Sequence, residues 1–231
     1  AHFGLVTTTR TVTIPDGTTI NVNKLVFDDL RDGFGQDWNF ATTGTLNLVG
    51  DALIDPVDGQ NSVRINCPIT GTAGLTLDKT GARNPAAEAI IAGNNTYAGV
   101  TAIYGSTLAV VNDQALGASG AGNHTTIGIG GRLLIKGSPA NAIAEDVILL
   151  SGAQATALRG SNANQILWGR LHNQGADAGV NVNTAHTFTL AGDITTSGGT
   201  SRRLSLNATG GATSRILVTG SISDGTGGEV T

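Results

Sequence analysis

The densest group of side chains able to do chemistry is the run DDLRDGFGQDW, which places Asp28, Asp29, Asp32 and Asp37 on one glycine-containing stretch. Four carboxylates there suit two kinds of chemistry. Hard oxygen ligands on a bent loop suit Ca²⁺. Two or three carboxylates, alone or with Arg or Lys, grouped on one face suit the acid–base work of polysaccharide lyases and hydrolases. The spacing is not that of an EF-hand, and no GGxGxDxUx nonapeptide occurs. The simpler reading of Asp28, Asp29, Asp32 and Asp37 is a solvated loop between strands, so no metal ligand is assigned. Asp55 and Asp58 frame the sequence DPVDG, where turn chemistry accounts for both.

Nucleophilic catalysis would need Ser or Cys beside a His and an acid. The four histidines, His2, His124, His172 and His186, lie in no recognisable nucleophile motif, and there is no G-x-S-x-G. His124 and His186 sit beside Thr and read as solvent-facing strand or turn residues. Cys67, the single cysteine, precedes Pro68 in a strand pattern and reads as a buried, inert thiol, with an intermolecular disulfide as the alternative. Trp38 with Phe34 and Phe40, and Trp168 with Arg170, could stack sugars, though such residues more often cap a core. The glycosylation triplets at Asn94, Asn123 and Asn207 arise readily in a chain with 31 Thr and 18 Asn. No catalytic, cofactor-binding or metal residue is expected, and the chain does not read as an enzyme.

The elements that would have to carry any site are strands. Charged residues are 13% of the 231, against about 25% in an ordinary domain. Hydrophobic residues at 39% can still build a core, with aromatics contributing only 4%. A net charge of −4 and the lack of a basic stripe argue against a nucleic-acid platform. No apolar run approaches the ~20 residues of a membrane helix. AHFGLVTTTR has neither the charged start nor the apolar middle of a signal peptide. The sequence contains no Met, so a processed chain or a piece of a longer one is expected.

Short period-two alternation bounded by Gly, Asn or Asp recurs throughout, as in TINVNKLVF (19–27), RLLIKG (132–137), VILLSG (147–152) and HTFTLAG (186–192). The nearest approach to a helical stripe, NPAAEAIIAG (84–93), runs straight into turn residues. A phrase of apolar, any, apolar, then Gly after one or a few residues returns as LNLVG, LTLDKTG, LLIKG, FTLAG, LSLNATG and ILVTG. Leu46, Leu75, Leu108 and Leu133, which lead copies of this strand pattern, suggest a loose period of a few tens of residues, the mark of a repeat architecture. Low charge avoids ladders of like charge, and Asn and Thr at turns can hydrogen-bond along a stack. The expectation is an all-β parallel solenoid over residues 1–231, with roughly 25–30 residues per coil and about eight or nine coils. Each coil buries its face only against its neighbours. The end coils have no evident cover, so continuation in a longer chain or end-to-end association is expected.

The segment 74–117 resembles the autotransporter-associated β-strand repeat of bacterial passenger domains. Lys79 and Gly81 match its first element. Gly93, Asn95, Thr96, Tyr97, Gly99 and Thr101 match its central phrase. Gly105, Thr107 and Leu108 match its close, and Asn112, Ala115, Leu116 and Gly117 a frequent tail. ARNPAAEA (82–89) departs from the pattern as an insertion. The resemblance implies a right-handed parallel β-helix displayed outside the cell, a role in passenger export or folding, and no catalytic residue. Read on its own chemistry, Gly93-Asn94-Asn95 is a turn with room for positive φ. Tyr97 would cover the apolar end of a strand with its hydroxyl in water, and Gly99 would let coils approach closely.

Together these point to a stalk, fibre or adhesin scaffold at the bacterial surface. Its expected partners are further copies or further chain, and a surface glycan or cell. The alternatives are a passenger segment supporting another activity and, last, a carbohydrate-active β-helix enzyme.

Overall fold

The computed structural model describes residues 1–3, 10–27, 38–56, 62–78, 88–137, 142–150, 156–175, 177–197, 203–224 and 229–230. Among these there is no helix. The chain is an all-β parallel solenoid, and among the described residues the pairings between strands are parallel. NPAAEAIIAG resolves in its second half as the strand Glu88–Ile91.

Three faces wind around one core. The first sheet includes Thr19–Phe27, Thr45–Pro56, Leu75–Asp78, Thr101–Tyr104, His124–Ile127, Asp146–Leu149, Leu171–Asn173, Ile194–Thr196 and Ile222–Asp224 in stacking order. The second includes Trp38–Phe40, Val63–Ile65, Glu88–Ile91, Thr107–Val110, Arg132–Lys136, Leu158–Ser161, Ala178–Val182 and Arg203–Ala208. The third stacks Ala142–Ile143, Gln165–Leu167, Thr187–Leu190 and Arg215–Val218. Consecutive chain segments visit successive faces, so like strands meet one coil later. Thr101 pairs with Thr125, Thr125 with Val147, Val147 with Leu171 and Leu171 with Ile194.

Period-two sequence becomes an in–out pattern here. Glu88–Ile91, His124–Ile127, Asp146–Leu149 and Thr187–Leu190 each alternate half-buried with buried residues. Parallel register turns the inward residues into columns: Leu77, Ile103, Ile127 and Leu149 stack in the first sheet, and Ile91, Val110, Ile135, Gly160 and Val182 in the second. Each such branched side chain contributes about 1.5–3 kcal/mol when fully buried.

One column is interrupted by Gly160. A Cβ there would lie 2.8 Å from Cγ of Phe188, a fully buried residue of the third face. The phenyl ring fills the room the glycine leaves. Gly160→Ala is expected to destabilise by about 1–3 kcal/mol through overpacking. The same change made in a Phe188→Leu background should cost clearly less, because the two sites share one volume. Equal costs in the two backgrounds, measured by urea unfolding, would show that the sites are independent.

Corners between the third and first faces are also built from glycine. A Cβ on Gly169 would sit 2.0 Å from the Glu145 carbonyl oxygen, on Gly192 2.2 Å from that of Gly169, and on Gly220 2.2 Å from that of Gly192. Backbone stacks directly on backbone there. Gly99 does the same work lower in the rod, where a Cβ would be 2.8 Å from the Gly74 nitrogen.

Candidate functional site

Asp28, Asp29, Asp32 and Asp37 lie outside the described residues, as do Phe34, Asp58, Lys79 and Gly81. The site that the described residues form is elsewhere, on the outer face of the first sheet. Its strands His124–Ile127, Asp146–Leu149, Leu171–Asn173 and Ile194–Thr196 lie side by side. Outward residues therefore line up across coils: Thr126, Ile148, His172 and Thr195 in one row, and His124 and Asp146 in the next, with Arg170 and Asp193 continuing it at the corner. A groove of about 490 Å³ is lined by His124, Asp146, Ile148, Arg170, His172 and Thr195.

Its polar groups are fixed by one another. The Asp146 carboxylate accepts from the Arg170 backbone N–H at 2.7 Å and from the guanidinium at 2.7 and 3.0 Å. Partial burial pushes the Asp146 carboxyl up, but the Arg170 hydrogen bonds and charge outweigh it and hold it below its ordinary value. The next carboxylate in that row, Asp193, accepts from the Ser221 hydroxyl at 2.6 Å and its N–H at 3.1 Å, and is lowered by those bonds. His172 is held from both ring nitrogens: Nδ1 bonds the Thr195 hydroxyl and Nε2 lies 2.9 Å from the Ser197 hydroxyl. Burial, then the nearby Arg170 charge, lowers its pKa and favours the neutral ring.

One wall of the groove is the turn Gly120-Ala121-Gly122-Asn123. Gly120 and Gly122 have φ of 105° and 82°, in a region that side chains avoid, although a Cβ on either would meet open space. Backbone conformation, not crowding, is what requires glycine there. The Asn123 N–H donates to the Gly120 carbonyl at 2.9 Å, and Asn123 Oδ1 accepts from the Gly99 N–H at 2.6 Å, pinning the turn to the coil below.

A second polar group lies in the core beneath this face. Glu145 occupies the corner position held by Gly169, Gly192 and Gly220 in later coils. Its residue is 3% exposed; Oε1 accepts from the Thr125 hydroxyl at 3.0 Å and Oε2 meets no hydrogen-bond partner. Burial raises its pKa to about 8, the Thr125 bond opposing and the Asp146 charge adding to the rise. Nearby, the Tyr97 hydroxyl shares a 2.7 Å hydrogen bond with Thr101 Oγ1. Tyr97 is 1% exposed, so its hydroxyl does not reach water as expected. The whole ring is drawn into the core, and Thr101, at the start of the following strand, satisfies the oxygen.

Other expected sites resolve individually. Cys67 is a free, fully buried thiol whose pKa burial raises to about 11. It lies at a bend between the strands Val63–Ile65 and Ile69–Gly71, not within a strand. Asp55 lies next to last in the strand Thr45–Pro56, with its side chain 2% exposed and 3.4 Å from Lys24 Nζ, while residues 57–61 of the expected turn lie outside the described residues. Trp38 packs on the core, 6.4 Å from the Phe27 ring. Trp168 is 58% exposed. His124 is half-buried in a strand and His186 half-buried in a turn. Gly93 lacks positive φ; it is small because a Cβ would lie 2.2 Å from the Cys67 carbonyl oxygen.

Among the described residues no three His, Cys, Asp or Glu side chains are grouped to hold a metal ion, and no helix is long and apolar enough to cross a membrane. Sequence reasoning met His124, His172 and Arg170 only as scattered residues, because their proximity depends on the coil register. No protein-family model, curated protein or solved structure matches the chain.

Proposed function

We propose that this chain is a structural segment of a secreted bacterial surface solenoid, a stalk, fibre or adhesin scaffold, that extends by stacking coil on coil. One observation carries the reading: among the described residues, an inward position stands exposed toward each extreme of the stack. Ile20 is 44% exposed while its register partner Leu46 is 3% exposed. Ile222 is 49% exposed while its partner Ile194 is fully buried. Another coil in the same register would cover these positions and continue the backbone ladders, as each coil does for its neighbour. The occupant proposed is a second copy of this chain.

Light scattering and negative-stain images across a concentration series test it. Wild-type chain is expected to form rods that lengthen with concentration, and Ile222→Asp rods that do not. Isolated short particles for both proteins at every concentration would overturn the reading.

A second reading, a passenger segment of an autotransporter, is favoured by the ordered phrase from Gly93 to Leu108. A parent gene that runs on into a C-terminal export barrel supports it; one that does not leaves the free fibre.

A further inference from the structure

The groove on the first sheet has no part in end-to-end stacking, since it lies on a side of the rod. We infer that it is a binding site for a neutral oligosaccharide, laid across the strands over Ile148 and His172 and bounded by the Gly120–Asn123 turn.

The lining argues for this class by its balance. Ile148 supplies an apolar floor in the same row as the His172 ring and the Thr195 hydroxyl. Sugar rings present C–H faces and hydroxyl edges together, and a concave, partly apolar surface with a few fixed polar groups is the form of site that holds such ligands. Those polar groups are already oriented. Asp146 and Arg170 lock each other, and His172 is held between Thr195 and Ser197. Little side-chain entropy is left to lose on binding. Asp146 keeps acceptor capacity, and Arg170 with its side chain 69% exposed keeps donor capacity, so both roles that a hydroxyl needs stand side by side.

The same features disfavour other ligands. Arg170 is neutralised by Asp146, and Asp193 follows in the row, so the face offers no net positive charge to a nucleic acid or a uronate polymer. An extended peptide would need an open sheet edge, whereas the strands under the groove are paired with neighbours on both sides. Scale fits as well. The groove crosses four strands, and with strands about 4.8 Å apart it is roughly 14 Å long, room for a few linked rings.

The inference is independent of self-assembly and is tested on the whole chain by saturation-transfer NMR and calorimetry. The probes are cellohexaose, xylohexaose, mannohexaose and maltohexaose, with hexagalacturonate as the acidic counterpart. At least one neutral hexasaccharide is expected to bind. Ile148→Lys, an outward change that fills the floor with a charge, should weaken it about tenfold or more with an unchanged melting temperature. His124→Ala, which removes a ring from the groove without adding bulk, serves as the second variant should the lysine disturb folding, and is also expected to weaken binding. Absence of binding by all four neutral sugars, binding of hexagalacturonate alone, or undiminished affinity in His124→Ala and a folded Ile148→Lys would overturn the assignment.

Discussion

Asn95→Ala is expected to destabilise the chain by about 2–6 kcal/mol, since each buried backbone group left without a partner costs roughly 1–3 kcal/mol and two are orphaned. Asn95 is 2% exposed, and its amide joins the coil before it to the coil after it. Oδ1 accepts from the Ile69 N–H at 2.8 Å, and Nδ2 donates to the Ala115 carbonyl at 2.6 Å. Alanine leaves one donor and one acceptor dry. Asn95→Asp distinguishes this role from mere packing. A carboxylate can still accept from Ile69, but it faces the Ala115 oxygen with no proton to give and carries a buried charge. Its stability should therefore recover on acidification, when the protonated acid can donate to Ala115. Urea denaturation at pH 5 and pH 8 reads both effects. If Asn95→Ala unfolds with an unchanged midpoint, or Asn95→Asp shows no more pH dependence than the parent, the amide is not the staple between coils.

That residue also shows what could be read in advance. Asn95 stood out in the phrase Gly-x-Asn-Thr-Tyr, yet its neighbours Ile69 and Ala115 are 26 and 20 residues away, and nothing local ties them to it. All-β class and parallel stacking were legible because alternation and low charge are properties of single strands. Coil register was not. The recurring apolar–Gly phrase marks strands, not coils: LTLDKTG begins in the first sheet, LLIKG in the second, and FTLAG and ILVTG in the third. Leu46, Leu75, Leu108 and Leu133 therefore mix faces, and only Leu108 and Leu133 are partners. The true partners of Leu46 and Leu75 are Ile69 and Thr101, not the next leading leucine of the phrase. A tight corner needs only a small residue, and in a chain with 34 Gly that requirement leaves no distinctive mark. For the same reason the groove was invisible. His124, Asp146, Arg170, His172 and Thr195 each look ordinary until a parallel register lays their strands side by side.

The corner register exposes a residue that breaks its pattern, and with it a large expected pH effect. Where later coils have Gly169, Gly192 and Gly220, this coil has Glu145, whose side chain turns into the core beside Thr125. Burial pushes its pKa to about 8 from an ordinary value of 4.5. The direction of the linkage follows from the proton count. Between those values the folded chain holds a proton that the unfolded chain has released, so stability must fall as pH rises, by up to about 1.4 kcal/mol per pH unit. The neutral acid's contribution is fully present below the unfolded value and is lost as pH climbs through the folded one. Across pH 5 to 8 the loss is on the order of a few kcal/mol. Glu145→Gln keeps an oxygen for the Thr125 hydroxyl but has no proton to lose. It should flatten the decline and exceed the parent in stability above pH 8. Denaturant midpoints at unit pH intervals decide the matter: an equal slope in the two proteins would mean that Glu145 finds water in solution, and that the corner opens where the glycine corners stay shut.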